Sequence, residues 1–190
     1  PDITCDESGW TVSGHSNEKL WSWSDPDLRI GIPNAHPYTG PESVTQPLLA
    51  DLSLDGTPEL IVAAVDTTTD EPTVVSLPLG LQTPEEDWKV ALDRGTHPSD
   101  PAFAALDDNS GSIVLTTVDE LNGNFWIWQI DGPTGSLDWE RVSIQGTDDD
   151  DDTPRIRLPG PVITQLDSDA APEMIITLPS DENLGDDGMG

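Results

Sequence analysis

The stretch QPLLADLSLDGTPELIVAAV, residues 46–65, has two partial copies further along the chain: PAFAALDDNSGSIVLTTV at 101–118 and GPVITQLDSDAAPEMIITLP at 160–179. Each copy is a short apolar run, a polar loop and a second apolar run rich in β-branched residues, the pattern of two neighbouring strands. Behind the first copy come TVVSLPLG (73–80) and EDWKVALD (86–93); behind the second come FWIWQID (125–131) and LDWERVSI (137–144). Each complete unit therefore reads as four strands. No apolar pattern at helical spacing persists beyond one turn, so the chain is expected to be all-β.

Strands are expected near 19–24, 44–50, 60–65, 73–79, 87–92, 102–106, 112–118, 124–130, 138–144, 161–166 and 173–178. Asn122-Gly123 marks a tight hairpin between two of them, because both residues tolerate the positive φ of primed turns. The Pro-rich stretch 33–47 reads as a long surface loop. Trp88 and Trp139 fall at the same place in the last strand of their units, and Trp21 in LWSWS fits the closing strand of a unit that lies mostly upstream.

Four-stranded units repeated with an aromatic marker are the sequence form of β-propeller blades. The expected fold is an incomplete β-propeller of four-stranded antiparallel units, with a β-sandwich as the alternative. The organisation expected is one domain over 1–180, with a partial blade at 1–43, blades at 44–92 and 102–144 and a partial blade at 161–180, followed by an acidic linker or tail at 181–190. An open set of blades leaves strand edges unpaired, so self-association through them is expected. The start at Pro1 and the linker-like DENLGDDGMG suggest an excised or processed piece of a longer protein.

Two stretches carry a family resemblance. Asp131-Gly-Pro-Thr134-Gly135-Ser-Leu-Asp-Trp139 resembles the D-x-x-T-G-x-x-x-W signature of quinoprotein-like, PQQ-type blades, and DLSLDGTPELIV (51–62) resembles the aspartate-rich loop of FG-GAP and VCBS repeats of integrin-type propellers. Other copies of the first signature are eroded: Thr83 and Trp88 remain in one, Trp21 alone in another. Trp21, Trp88, Trp139, Asp131, Thr134 and Gly135 are thus the expected structural markers of the blades. The tryptophans are expected to pack between neighbouring blades, where each buries a large apolar area.

The chain has 190 residues, with 37 Asp and Glu against 7 Lys and Arg, for a formal charge of −30. A field of that sign repels phosphate backbones and anionic membranes, so neither nucleic-acid binding nor membrane insertion is expected. The charges crowd the loops while the apolar runs stay nearly free of them, which is the pattern of a folded protein with an acidic surface. Salt screens the self-repulsion of such a surface, pointing to a halophilic, archaeal setting. Cys5 is the only cysteine, so no internal disulfide forms.

Asp51, Ser53, Asp55, Thr57 and Glu59 place oxygen ligands at alternate positions of a loop whose Gly56 permits a sharp bend, a pattern suited to calcium. It can equally be an acidic turn. A weaker copy holds Asp167, Asp169 and Glu173, aligned through the shared Pro-Glu pairs at 58/59 and 172/173, with Gln165 and Ala170 replacing an acid and the glycine. The middle copy keeps Asp107 and Asn109. Calcium is the one cofactor expected. His15, His36 and His97 have no metal-like spacing and read as isolated loop histidines.

No nucleophile motif, zinc motif or phosphate loop occurs. The FG-GAP and VCBS resemblance implies a non-catalytic extracellular or cell-surface segment that binds or scaffolds a protein or carbohydrate partner. The PQQ-type resemblance implies instead a quinoprotein dehydrogenase fragment, whose enzymes use a pair of adjacent cysteines and an acidic base beside calcium; the single cysteine departs from that pattern. A polysaccharide-binding module is a third reading, favoured if Trp10, Trp23 or Trp126 is exposed beside a cleft.

Overall fold

A computed structural model describes residues 2–6, 9–13, 19–29, 45–79, 85–105, 110–119, 124–145, 160–166 and 172–176, with 2–6, 9–13, 19–22, 119 and 139–145 described by their backbone alone. The described residues hold no helix and form antiparallel sheets, none closed into a barrel. The first sheet is a meander of β1 (Asp2–Asp6), β2 (Gly9–Ser13) and β3 (Lys19–Trp23). The second runs β5 (Leu48–Ala50), β6 (Glu59–Asp66), β7 (Pro72–Pro78) and β8 (Trp88–Ala91), with the two-residue β4 (Leu28–Arg29) pairing the far end of β6.

The third sheet repeats that plan. It runs β10 (Ala102–Ala105), β11 (Gly111–Asp119), β12 (Asn124–Asp131) and β13 (Leu137–Gln145), and the two-residue β9 (His97–Pro98) pairs the far end of β11 as β4 does β6. The fourth sheet, β14 (Val162–Thr164) with β15 (Glu173–Ile175), reproduces the start of the second. Leu48, Leu49 and Ala50 face Ile61, Leu60 and Glu59; Val162, Ile163 and Thr164 face Ile175, Met174 and Glu173.

The near-continuous apolar runs of β6 and β7 are explained by burial on both faces. One face, with Leu60, Val62, Ala64, Val75 and Leu77, packs on Trp23 and Leu28; the other, with Ile61, Ala63 and Val74, packs on Ile113, Leu115, Trp126, Trp128 and Ile130 of the third sheet. In β12 the alternation is strict. Trp126, Trp128 and Ile130 point inward, and Phe125 and Ile127 are half-buried on the opposite face, as their period-2 spacing requires.

The first strands of successive units lie side by side, β5 beside β10 and β10 beside β14. A proline precedes each: Pro47, Pro101 and Pro161. Asp100 accepts the Gln46 N–H at 2.6 Å on one side, and a Cβ at Gly160 would meet its carbonyl oxygen at 2.6 Å on the other. These three residues each stand two positions ahead of their strand, so the units touch at equivalent points.

The expected strands over 60–65, 73–79, 87–92, 102–106, 112–118, 124–130 and 138–144 are present with bounds shifted by a residue or two. Strands β1, β2, β4 and β9 were not expected. The turn at Asn122-Gly123, the middle loop with Asp107 and Asn109, and the tail 181–190 lie outside the described residues.

Candidate functional site

The loop between β5 and β6 is organised by its own carboxylates. Asp51 accepts the N–H of Asp55 through Oδ1 at 3.0 Å and that of Gly56 through Oδ2 at 2.7 Å, and Asp55 accepts the Thr57 N–H at 2.8 Å. Gly56 has φ of 90° and Leu54 of 56°, the left-handed conformations that let the chain reverse this tightly. Glu59 closes the loop from its far end by accepting the Leu52 N–H at 2.8 Å. In the fourth sheet Glu173 does the same for the Leu166 N–H at 2.6 Å, again seven residues back.

Hydrogen bonds and burial act in opposite senses on two of the loop's carboxyls. Asp55 is held below the usual carboxylate range, first by the Thr57 backbone N–H and then by the hydroxyls of Thr57 and Ser53. Glu59 is raised: burial is the largest cause, the Leu52 N–H opposes it, and the like charges of Asp51, Asp87 and Asp55 add to it. Burial also raises Asp87. Among the described residues no group of three or more His, Cys, Asp or Glu side chains is gathered tightly enough to hold a metal ion. The donor set nevertheless fits calcium in kind. Asp51, Ser53, Asp55 and Glu59 offer hard oxygens, and each Asp51 oxygen spends one lone pair on an N–H and keeps another.

Glu59 is also the first link of a hydrogen-bonded chain into the next sheet. Leu52 donates to Glu59, the Leu52 carbonyl accepts the Gly111 N–H at 2.9 Å, and the Gly111 carbonyl accepts the Gly132 N–H at 2.9 Å. The Gly132 carbonyl then accepts the indole N–H of Trp88 at 2.8 Å, returning the chain to the last strand of the second sheet. Close backbone approach requires the glycine at 132, while a side chain at 111 would have to displace the Phe103 ring. A Cβ at Gly132 would lie 2.3 Å from the Gly111 oxygen, and one at Gly111 would lie 2.0 Å from the Phe103 ring.

The turn that receives Trp88 is the Asp131–Ser136 signature stretch. Asp131 accepts the Thr134 N–H at 3.0 Å and the Thr134 hydroxyl, and its backbone bonds to Ser136 and Gly135 close the turn. Gly135 adopts φ of 68°, and a Cβ there would stand 2.6 Å from the Trp88 ring. The indole therefore lies against bare backbone. Asp66–Glu71 forms the same turn with Asp70 at φ 61° in the glycine's place.

A second tie crosses between the first and second sheets. Lys89 on β8 donates to Asp25, just after β3, at 2.8 Å, with their side chains 30% and 15% exposed. Elsewhere Trp128 donates to the Thr117 hydroxyl, which donates to the Arg94 carbonyl. Gly95, at φ 85°, lets the connecting loop come against Thr117.

The expected metal residues Asp51, Ser53, Asp55, Thr57 and Glu59 thus share one loop, whereas Asp167 and Asp169 lie outside the described residues and only Glu173 of the weaker copy is seen. Trp88 lies against the Gly132–Gly135 turn of the third sheet. The side chains of Trp10, Trp21 and Trp139 lie outside the description, as do His15 and His36; His97 is half-buried in β9. Trp23 and Trp126 are 8% and 6% exposed, which removes both as open stacking surfaces for a sugar. The sequence reading missed Gly111 and Gly132, whose work is done by backbone groups, and Asp100, whose carboxylate accepts a backbone N–H. Comparison of the chain with protein-family models, with curated proteins and with solved structures returns no match.

Proposed function

We propose that this chain is a β-propeller segment with a non-catalytic role, a rigid extracellular or cell-surface scaffold that binds a protein or carbohydrate partner. The observation that carries the reading is the docking of Trp88 on the Asp131–Gly135 turn of the next sheet. A repeated sheet whose last strand anchors on its neighbour, with first strands side by side, is what a radial array of blades requires. A β-sandwich has one pair of facing sheets, whereas here the second sheet is covered on both faces.

A calcium ion in the loop of Asp51, Asp55 and Glu59 is the cofactor proposed with this reading; the three carboxylates do not converge on one point as they stand, so binding would have to draw them together. It is supported by the raised carboxyl of Glu59, whose repulsion from Asp51, Asp55 and Asp87 a cation would relieve. In that role the ion would brace the loop that begins the hydrogen-bonded chain to Gly132, and it would supply no chemistry. The acidic surface suits a salt-rich medium.

An experimental structure tests the architecture. Successive sheets related by rotation about one axis beside β5, β10 and β14 support it, and two facing sheets overturn it. The non-catalytic role is tested by dye-linked alcohol oxidation after adding pyrroloquinoline quinone and calcium. Quinone-dependent turnover would sink it in favour of a dehydrogenase fragment.

A further inference from the structure

Three consecutive threonines, Thr67, Thr68 and Thr69, form the tip of the hairpin between β6 and β7, and all three are exposed. The turn beneath them is held at several points. Asp66 donates its N–H to the Glu71 carbonyl at 2.9 Å, its carbonyl accepts the Asp70 N–H at 2.8 Å, and the Thr67 N–H meets the Asp27 carbonyl at 2.7 Å. One carboxylate oxygen of Asp66 accepts the N–H groups of Thr68, at 2.8 Å, and Thr69, at 3.2 Å. The hydroxyls divide. That of Thr67 donates to the Asp27 carbonyl at 3.1 Å, whereas those of Thr68 and Thr69 make no hydrogen bond among the described residues. In the matching Asp131–Ser136 turn, Thr134 directs its hydroxyl onto the Asp131 carboxylate and Ser136. Thr69 holds the same place and makes the same backbone bond to its aspartate, yet leaves its hydroxyl to solvent. Turns favour Gly, Pro, Asn and Asp for their φ or for side-chain bonds back to the chain, and Thr68 and Thr69 supply neither. They are β-branched and stiff, suited to strands. Residues that the fold does not call for, presented at an exposed tip, mark a function.

We propose that Thr68 and Thr69 are a site of O-linked glycosylation, their hydroxyls accepting a neutral sugar from a phosphate-activated sugar donor. In the transfer the threonine oxygen bonds to the anomeric carbon, and the bond from that carbon to the donor phosphate breaks. The hydroxyl proton passes to a base of the transferring enzyme, and the carrier leaves as its phosphate. Local charge selects the group. A phosphoryl group would bring roughly −1.5 to −2 further charges beside Asp66, Asp70 and Glu71, on a chain already at −30. The nearby cation, Arg29, is engaged by Asp70 at 3.5 Å. A neutral sugar adds no charge. These 190 residues contain no Asn-x-Ser/Thr sequence, so the N-linked route has no acceptor among them. The inference goes beyond the scaffold reading and shares with it only the cell-surface location.

Mass spectrometry of the protein isolated from its native cells tests the site. A glutamate-specific protease cutting after Glu59 and Glu85, with the Glu71–Pro72 bond intact, yields residues 60–85. Electron-transfer fragmentation, which keeps sugars on the peptide, is expected to place uncharged sugar mass on Thr68 or Thr69. Thr73 and Ser76 of the same peptide, 1% and 0% exposed, are expected to carry none. Thr68→Val combined with Thr69→Val, expressed in the same cells, is expected to lose that mass and keep the wild-type melting temperature, since neither hydroxyl supports the turn. An unmodified native peptide, a phosphate in place of the sugar, or sugar retained on 60–85 by the double variant overturns the site. A lower melting temperature in the variant also overturns it, by assigning the hydroxyls to the fold. A glycosylated chain that oxidises alcohols with the quinone would overturn the scaffold reading and leave the site standing.

Discussion

The indole N–H of Trp88 meets the carbonyl of Gly132 at 2.8 Å across the boundary between two sheets, and Gly135 of the same turn lies under the ring. One residue thereby joins a directional bond to an apolar contact. Trp88→Phe keeps most of the contact and loses the bond, so it should cost about 1 kcal/mol, whereas Trp88→Ala loses both and should cost roughly 3 kcal/mol or more. Urea unfolding in constant salt measures the two. Equal costs would mean that the ring contact contributes nothing, and a Trp88→Phe cost near zero would mean the same of the hydrogen bond.

Gly135 and Gly56 form a matched pair for separating backbone strain from crowding. Both have positive φ, but a Cβ at Gly135 strikes the Trp88 ring, while one at Gly56 meets nothing within 4 Å. Gly56→Ala should therefore cost only the left-handed strain, about 1 kcal/mol. Gly135→Ala should cost clearly more and should shift Trp88 fluorescence, because the ring has to move off the turn. If the two substitutions cost the same, the indole does not lie on Gly135 in solution.

What could be read in the sequence was what side chains carry. The paired apolar runs of β6 and β7, the alternation of β12 and the Trp88 and Trp139 positions all follow from period and composition. Strands β4 and β9, two residues each, have no period to detect. The links that join the sheets run through the backbone of Leu52, Gly111 and Gly132, and a backbone N–H leaves no mark in the sequence except the glycines that admit it. A signal that was present and missed is the proline before each first strand, at 47, 101 and 161. It fixes φ where the chain enters a strand and removes an N–H that the ladder does not need.

The Asp25–Lys89 tie should leave a trace in acid titration. Burial favours the neutral form of Asp25, but the Lys89 hydrogen bond and the Asp27 N–H outweigh it and hold the carboxyl below its usual value. For Lys89, burial lowers the value and the bond to Asp25 outweighs it, leaving the amine raised. A lowered acid stabilises the fold above its unfolded pKa, and that contribution is lost as pH falls through the folded one. A raised amine stabilises below its unfolded pKa, and loses that contribution as pH rises through the folded one. The tie is accordingly complete across the neutral range. Asp25→Asn should lower stability at neutral pH by up to about 1 kcal/mol and flatten the acid limb of the curve, the partial exposure of Lys89 limiting the size. An unchanged acid limb would show that the pair is not formed in solution.

Glu59 should behave in the opposite sense, and the difference bears on calcium. Its carboxyl is raised, chiefly by burial and further by Asp51, Asp87 and Asp55. An acid with a raised folded-state pKa binds its proton more tightly when folded. Its effect on stability is therefore most favourable at low pH and declines as pH climbs from the unfolded value through the folded one, after which the full penalty remains. Glu59→Gln removes that penalty and keeps a side-chain oxygen for the Leu52 N–H, so the variant should melt higher than wild type at neutral pH and the gap should close in acid. Millimolar calcium, in constant high salt, should raise the melting temperature of wild type through binding to the folded loop, and Glu59→Gln should cut that rise by removing a charged ligand. Because Glu59 holds Leu52, and Leu52 begins the chain that ends at Trp88, calcium should also change Trp88 fluorescence in wild type. No melting shift in wild type would exclude the ion from this loop, and a shift that survives Glu59→Gln undiminished would place it elsewhere on the acidic surface.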